Sequence, residues 1–149
     1  MRKRTIIVVT IVVLFFLFIS CDKYGHLQVS SVLRSNHILE KYSVSMEVIE
    51  IRGDELTVQV VNDTPYELMS GVYADLEFFC GENWRIVSHL VDIRTDLGRD
   101  WLSSRNDTFD VNLNYYATVG AGLYRVRKTF FLLEHPHEFH DVVAELYLE

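Results

Sequence analysis

The arrangement of apolar and polar residues predicts a chain made of strands. Residues 42–48 and 56–61 alternate between the two kinds of residue, on either side of Arg52-Gly53-Asp54-Glu55. Such alternation is typical of strands with one buried face, and a Gly-Asp turn between two of them predicts a β-hairpin. Further runs of this kind cover 73–80, 84–87, 109–113, 120–133 and 142–148. The pattern predicts an all-β antiparallel sandwich of about seven strands, with an open barrel as the alternative.

The first twenty residues have a different pattern. Arg2-Lys3-Arg4 precede an uncharged apolar run at 6–19, which is followed by Ser20-Cys21. A basic start, a short apolar segment and a small residue before the cleavage point are typical of an export signal. We therefore expect a signal or anchor helix in residues 1–20, a tether in 21–41 and one folded domain in 42–149.

The end of this signal indicates how the protein is retained. Phe18-Ile19-Ser20-Cys21 resembles the lipobox of bacterial lipoproteins, although Phe18 and Ser20 differ from the residues that the box prefers. The resemblance implies cleavage before Cys21, acylation (with palmitate, for example) of its thiol and new amino terminus, and anchoring by membrane lipid at the extracytoplasmic face of the cell membrane. An uncleaved signal anchor and a freely secreted protein remain as alternatives.

The charge of the chain argues against one class of partner, and its cysteine content predicts the role of Cys80. The chain has 14 basic and 21 acidic residues, and without the three basic residues of the signal the balance is 11 minus 21, or −10. An excess of acid argues against binding to nucleic acid. The cysteines are Cys21 and Cys80. If Cys21 is acylated, Cys80 has no partner. We then expect Cys80 to serve as a small, buried apolar side chain.

Four segments together resemble the bacterial immunoglobulin-like domains of small exported lipoproteins. They are Val44–Val48, Leu56–Thr64, Ala74–Phe79 with Asn83–Val87 (which contains Trp84), and Gly122–Val126. In this resemblance Tyr124 is the corner tyrosine that begins a strand, and Val126 takes the position of a disulfide cysteine in antibody domains. It implies a sandwich that serves as a binding or accessory module in the bacterial cell envelope, with an unidentified protein or envelope partner and no catalytic residues.

Other candidate chemistry is sparse. His135, His137 and His140 are close enough in sequence to bind one zinc ion. A metal- or small-ligand-binding surface protein that uses them is therefore the alternative function. The simpler interpretation is that these histidines are exposed in a loop. Ser, His and Asp occur without the motifs that hydrolases need around them. We therefore expect neither an enzyme nor a cofactor.

Overall fold

The computed structural model describes residues 44–90, 99–102, 106–117, 119–135 and 137–149. These residues form nine strands: β1 (Val44–Arg52), β2 (Glu55–Asn62), β3 (Leu68–Gly71), β4 (Asp75–Cys80), β5 (Asn83–Ile86), β6 (Arg99–Leu102), β7 (Asn106–Asn112), β8 (Gly122–Leu132) and β9 (Phe139–Leu148). A single turn of 3₁₀ helix covers Leu113–Tyr115. Within the ranges just given, no helix is long and apolar enough to cross a membrane. The predicted signal helix lies outside them.

The strands form two antiparallel sheets. One sheet has the order β1-β2-β7. In the other, β8 lies between β9 on one side and both β4 and β3 on the other, while β5 pairs with β4 and β6 pairs with β3. The two sheets pack face to face, which confirms the predicted sandwich.

The core lies between the sheets and follows the predicted alternation. Leu56 and Val58 of β2 are fully buried, as are Leu76 of β4 and Val126 and Phe130 of β8. Burying one such side chain stabilises the fold by about 1.5–3 kcal/mol. Since alternate residues of a strand point to opposite faces, every second residue of these strands faces away from the core.

The predicted hairpin is formed by β1 and β2. Gly53 has a φ of 60°, a value that a glycine adopts without strain, and Val44 pairs with Asn62 at the opposite end of the hairpin. The pairing shifts by one residue between Val48 and Glu50, so β1 contains a β-bulge.

The sequence pattern missed two short strands. Leu68–Gly71 lies outside the predicted strands, but it pairs with β8 on one side and with β6 on the other. Arg99–Leu102, which forms β6, also lies outside them. Both strands have four residues, too few for the alternation of one buried face to be visible.

Candidate functional site

Tyr124 occupies a buried corner at the start of β8. It is fully buried, and its hydroxyl oxygen accepts a hydrogen bond from the Gly120 backbone N–H at 3.0 Å. A buried tyrosine whose hydroxyl bonds to backbone a few residues upstream is the geometry of a tyrosine corner. Val126, two residues later, is fully buried in the core. Both residues organise the core and leave no polar group for a ligand.

A network of buried charges lies on the face of the larger sheet that points away from the core. Arg125 Nε donates a hydrogen bond to Glu77 Oε2, and the Arg125 guanidinium lies 4.3 Å from the centre of the Trp84 ring. Glu77 is completely inaccessible to solvent, and the Arg125 side chain is only 9% exposed. Trp84 packs against this guanidinium and the Phe79 ring.

The network continues across β8 to β9. Arg127 donates to Glu77 at 3.3 Å and to Asp141 at 2.6 Å, while Thr129 Oγ1 donates to the other Asp141 oxygen at 2.7 Å. Burial acts to lower the pKa of Arg127, but the hydrogen bonds that it donates to the Asp141 and Glu77 carboxylates, together with their negative charges, raise it overall. Two positive and two negative side chains balance, so the network ties three strands together without leaving a buried charge unpaired.

Lys128 is the cation of β8 that faces the other sheet. Its side chain is buried, with Nζ 4.0 Å from the centre of the Phe109 ring and 3.4 Å from the Val72 carbonyl oxygen. The attraction between an ammonium group and a ring face helps to offset the loss of hydration. Lys128 therefore joins the two sheets at the interruption between β3 and β4.

A second polar cluster surrounds Tyr116, at the end of the 3₁₀ turn. The buried Tyr116 hydroxyl donates to the Ala74 carbonyl at 2.7 Å, and its ring stacks on His89 at 4.4 Å between centres. Burial lowers the pKa of His89, and nearby Asp75 partly opposes this. Desolvation raises the pKa of Asp75, and the Glu77 carboxylate raises it further. Ser103, Ser104 and Asp92, which a hydrolase could have combined with His89, lie outside the described residues.

An open pocket of about 410 Å³ lies at the end of the sandwich that contains the β1–β2 turn. The turn contributes Gly53 and Asp54, and β1 contributes Ile51. The Leu113 N–H donates to the Asp54 carbonyl oxygen at 2.7 Å, which fixes the turn against the segment after β7. Tyr116 also lines this pocket.

The structure does not assemble the candidate metal site. His135 and His137 are exposed in the segment before β9, and His140 lies within β9 opposite Phe130. No three His, Cys, Asp or Glu side chains of the described ranges are arranged to hold a metal ion. The spacing of the three histidines in sequence was compatible with a shared ion. In the structure, however, His140 is a residue of β9 and pairs with Phe130 of β8, whereas the other two histidines precede this strand.

The cysteines need one correction. Cys80, at the end of β4, is half-buried against the core and belongs to a disulfide. Cys80 was expected to have no partner if Cys21 is acylated, and the disulfide contradicts an unpartnered Cys80. Its packing against apolar side chains agrees with the predicted environment. Cys21, the other cysteine of the sequence, lies outside the described residues.

Comparison with known proteins agrees with this architecture. A family model described as a bacterial Ig-like domain matches residues 39–146. No curated protein matches the chain, and no solved structure does. Since the matched segment is most of the sequence, the chain belongs to the family of bacterial Ig-like domains.

Proposed function

We propose that the protein is a lipoprotein of the bacterial cell envelope, and that its Ig-like domain is a non-catalytic binding or accessory module. The observation that carries the proposal is the order of the N-terminal segments: a basic start, an uncharged apolar run and Phe18-Ile19-Ser20-Cys21 directly before the tether. Lipid on Cys21 would hold the domain at the extracytoplasmic face of the cell membrane. Two or more acyl chains give stable anchoring, whereas one chain binds only marginally.

The polar chemistry of the domain supports a module without catalysis. Four of its buried charged groups, Glu77, Arg125, Arg127 and Asp141, are used in pairing the strands with one another. General acid–base catalysis needs a titratable group that can reach a substrate, and a carboxylate that is completely inaccessible to solvent does not. The pocket beside the β1–β2 turn is instead open to solvent, as a binding surface would be.

Anchoring is tested by metabolic labelling with a radioactive or clickable fatty acid. The native chain is expected to be labelled and to partition with membranes, and Cys21→Ser is expected to lose both properties. Cys80→Ser is the matched control, because it removes the other thiol and should retain the label. Label that persists in Cys21→Ser would contradict the proposal.

The disulfide of Cys80 makes the same experiment more informative. A thioether to lipid and a disulfide to Cys80 would each consume the Cys21 thiol, so one molecule carries only one of them. Intact-mass measurement before and after reduction distinguishes these forms. The proposal requires a lipid-modified form of the native chain, and a population that is entirely linked from Cys21 to Cys80 without lipid would refute it.

A further inference from the structure

The pocket beside the β1–β2 turn combines apolar walls with an acidic rim. Its volume of about 410 Å³ is comparable with that of pockets that hold small ligands. Among its lining residues, Ile51 is 48% exposed and Leu90 is 65% exposed. Large apolar side chains that share one concave surface and remain in contact with water indicate an interaction site.

The β-bulge in β1 is what places an apolar residue in this wall. Ile51 pairs with Leu56, whose side chain is fully buried, so both point to the core side of the sheet. Uninterrupted alternation from Val48, which also faces the core side, would have placed Glu50 there instead. The extra residue, Ile49, shifts the alternation by one position. Bulges often lie beside functional sites, where they redirect a side chain.

The charge of the pocket limits the chemistry of an occupant. Asp54 and Glu149 line it, and no Lys, Arg or His is among the described residues that do so. Asp54 Oδ2 accepts a hydrogen bond from the Asn114 side-chain amide at 3.3 Å, a partner that brings no positive charge. The acidic balance of the whole domain would also attract a cation towards this end.

We propose that this pocket binds a partner peptide in which a basic side chain lies beside apolar ones. The apolar side chains would cover Ile51 and Leu90, and the cation would pair with Asp54. Such a peptide would be the partner of the proposed binding module. The direction in which the pocket faces rests on the proposed anchoring through Cys21. β1 enters the domain at Val44 and covers eight steps of roughly 3.3 Å, so the pocket lies roughly 26 Å from that end. In a protein anchored through Cys21, the pocket would face away from the membrane.

The experiment titrates the full-length protein, in micelles of a non-ionic detergent, into fluorescently labelled peptides. The probes are Leu-Arg-Leu, Leu-Gln-Leu and Leu-Glu-Leu, which differ only at the central side chain. We expect the fluorescence anisotropy of Leu-Arg-Leu to rise to saturation as protein is added. The affinity for the other two peptides should be at least roughly tenfold weaker, because they lack one charge-assisted hydrogen bond. Higher salt should weaken the binding.

Two variants locate the site. Asp54→Asn keeps the shape of the turn and should weaken Leu-Arg-Leu binding roughly tenfold, since it removes the charge that pairs with arginine. Ile51→Ser should weaken all three peptides, because it removes part of the apolar wall. Glu47→Gln is the matched control: it removes an exposed carboxylate from β1 outside the pocket, and it should leave the affinity unchanged.

Several results would overturn the proposal. They are the absence of saturable binding, equal affinity for Leu-Arg-Leu and Leu-Gln-Leu, and binding that Asp54→Asn and Ile51→Ser both leave intact. Concentration-dependent self-association in sedimentation, abolished by Ile51→Ser, would show that a second copy of this chain occupies the pocket instead. Peptide binding needs no lipid on Cys21, whereas fatty-acid labelling reports only anchoring, so the two proposals fail separately.

Discussion

Glu77 is the residue whose replacement most directly tests the buried network. Glu77→Gln removes the carboxylate that Arg125 and Arg127 share, at a position with no exposure to solvent. Arg127 would retain its hydrogen bond to the Asp141 carboxylate. Arg125 would lose its contact with a carboxylate and retain its contact with the Trp84 ring. Breaking a buried ion pair typically costs about 3–5 kcal/mol. The cation–π contact with Trp84 is present before and after the substitution, so it does not offset this loss. We therefore expect the free energy of unfolding to fall by about 3 kcal/mol or more.

Equilibrium unfolding in urea, followed by circular dichroism, measures this loss. The slope of the transition should stay constant while its midpoint falls, because the surface exposed on unfolding is the same. Glu145→Gln is the matched control: Glu145 is exposed, pairs with Arg125 in the ladder and should change stability by no more than about 0.5 kcal/mol.

A double-mutant cycle with Arg125→Met adds a second measurement. Because Arg125 and Glu77 are in direct contact, their two effects should fail to add by about 0.5–3 kcal/mol. If Glu77→Gln costs less than about 1 kcal/mol, or no more than Glu145→Gln, the network does not carry the stability assigned to it here.

Three further predictions concern single positions. Tyr124→Phe should lower the free energy of unfolding by about 1 kcal/mol, since a backbone N–H loses its acceptor; an unchanged melting curve would argue against the tyrosine corner. Gly122→Ala should destabilise the fold more than Tyr124→Phe does, because the φ of Gly122 is 151° and an added Cβ would clash with Phe78 Cε2. Urea unfolding tests this, and Gly71→Ala is the control, since no atom lies near the position of its Cβ. His89 has a lowered pKa, so its neutral form favours the fold; stability should fall as the pH drops below about 6.5, and His89→Phe should reduce this slope in urea unfolding at several pH values.

Much of the fold was predictable because strand alternation is a local property. The hairpin of β1 and β2 and the strands β4, β5, β7, β8 and β9 were all indicated by period two and turn residues. β3 and β6 were missed, since Leu68 to Ser70 are buried in succession and show no alternation. The place of β3 is set by its pairing with β8, and that of β6 by its pairing with β3, rather than by their own sequences.

The candidate sites were less predictable, because they depend on contacts between distant residues. Arg127 and Glu77 are fifty positions apart and meet only because β4 pairs with β8. Sequence reasoning had no reason to bury these charges, which elsewhere usually lie in solvent. The signal that could have indicated the network was the presence of Arg, Arg and Thr on one face of β8, opposite the face of Tyr124 and Val126.

The sequence by itself determined the class of fold and the place of Tyr124 at the start of a strand, because these depend on composition and on periods of a few residues. Tertiary structure alone decided that the exterior face of β8 is an enclosed ion network. It also decided that a bulge turns Ile51 into the wall of a pocket. Both outcomes depend on register, and a shift of one residue changes which side chains meet.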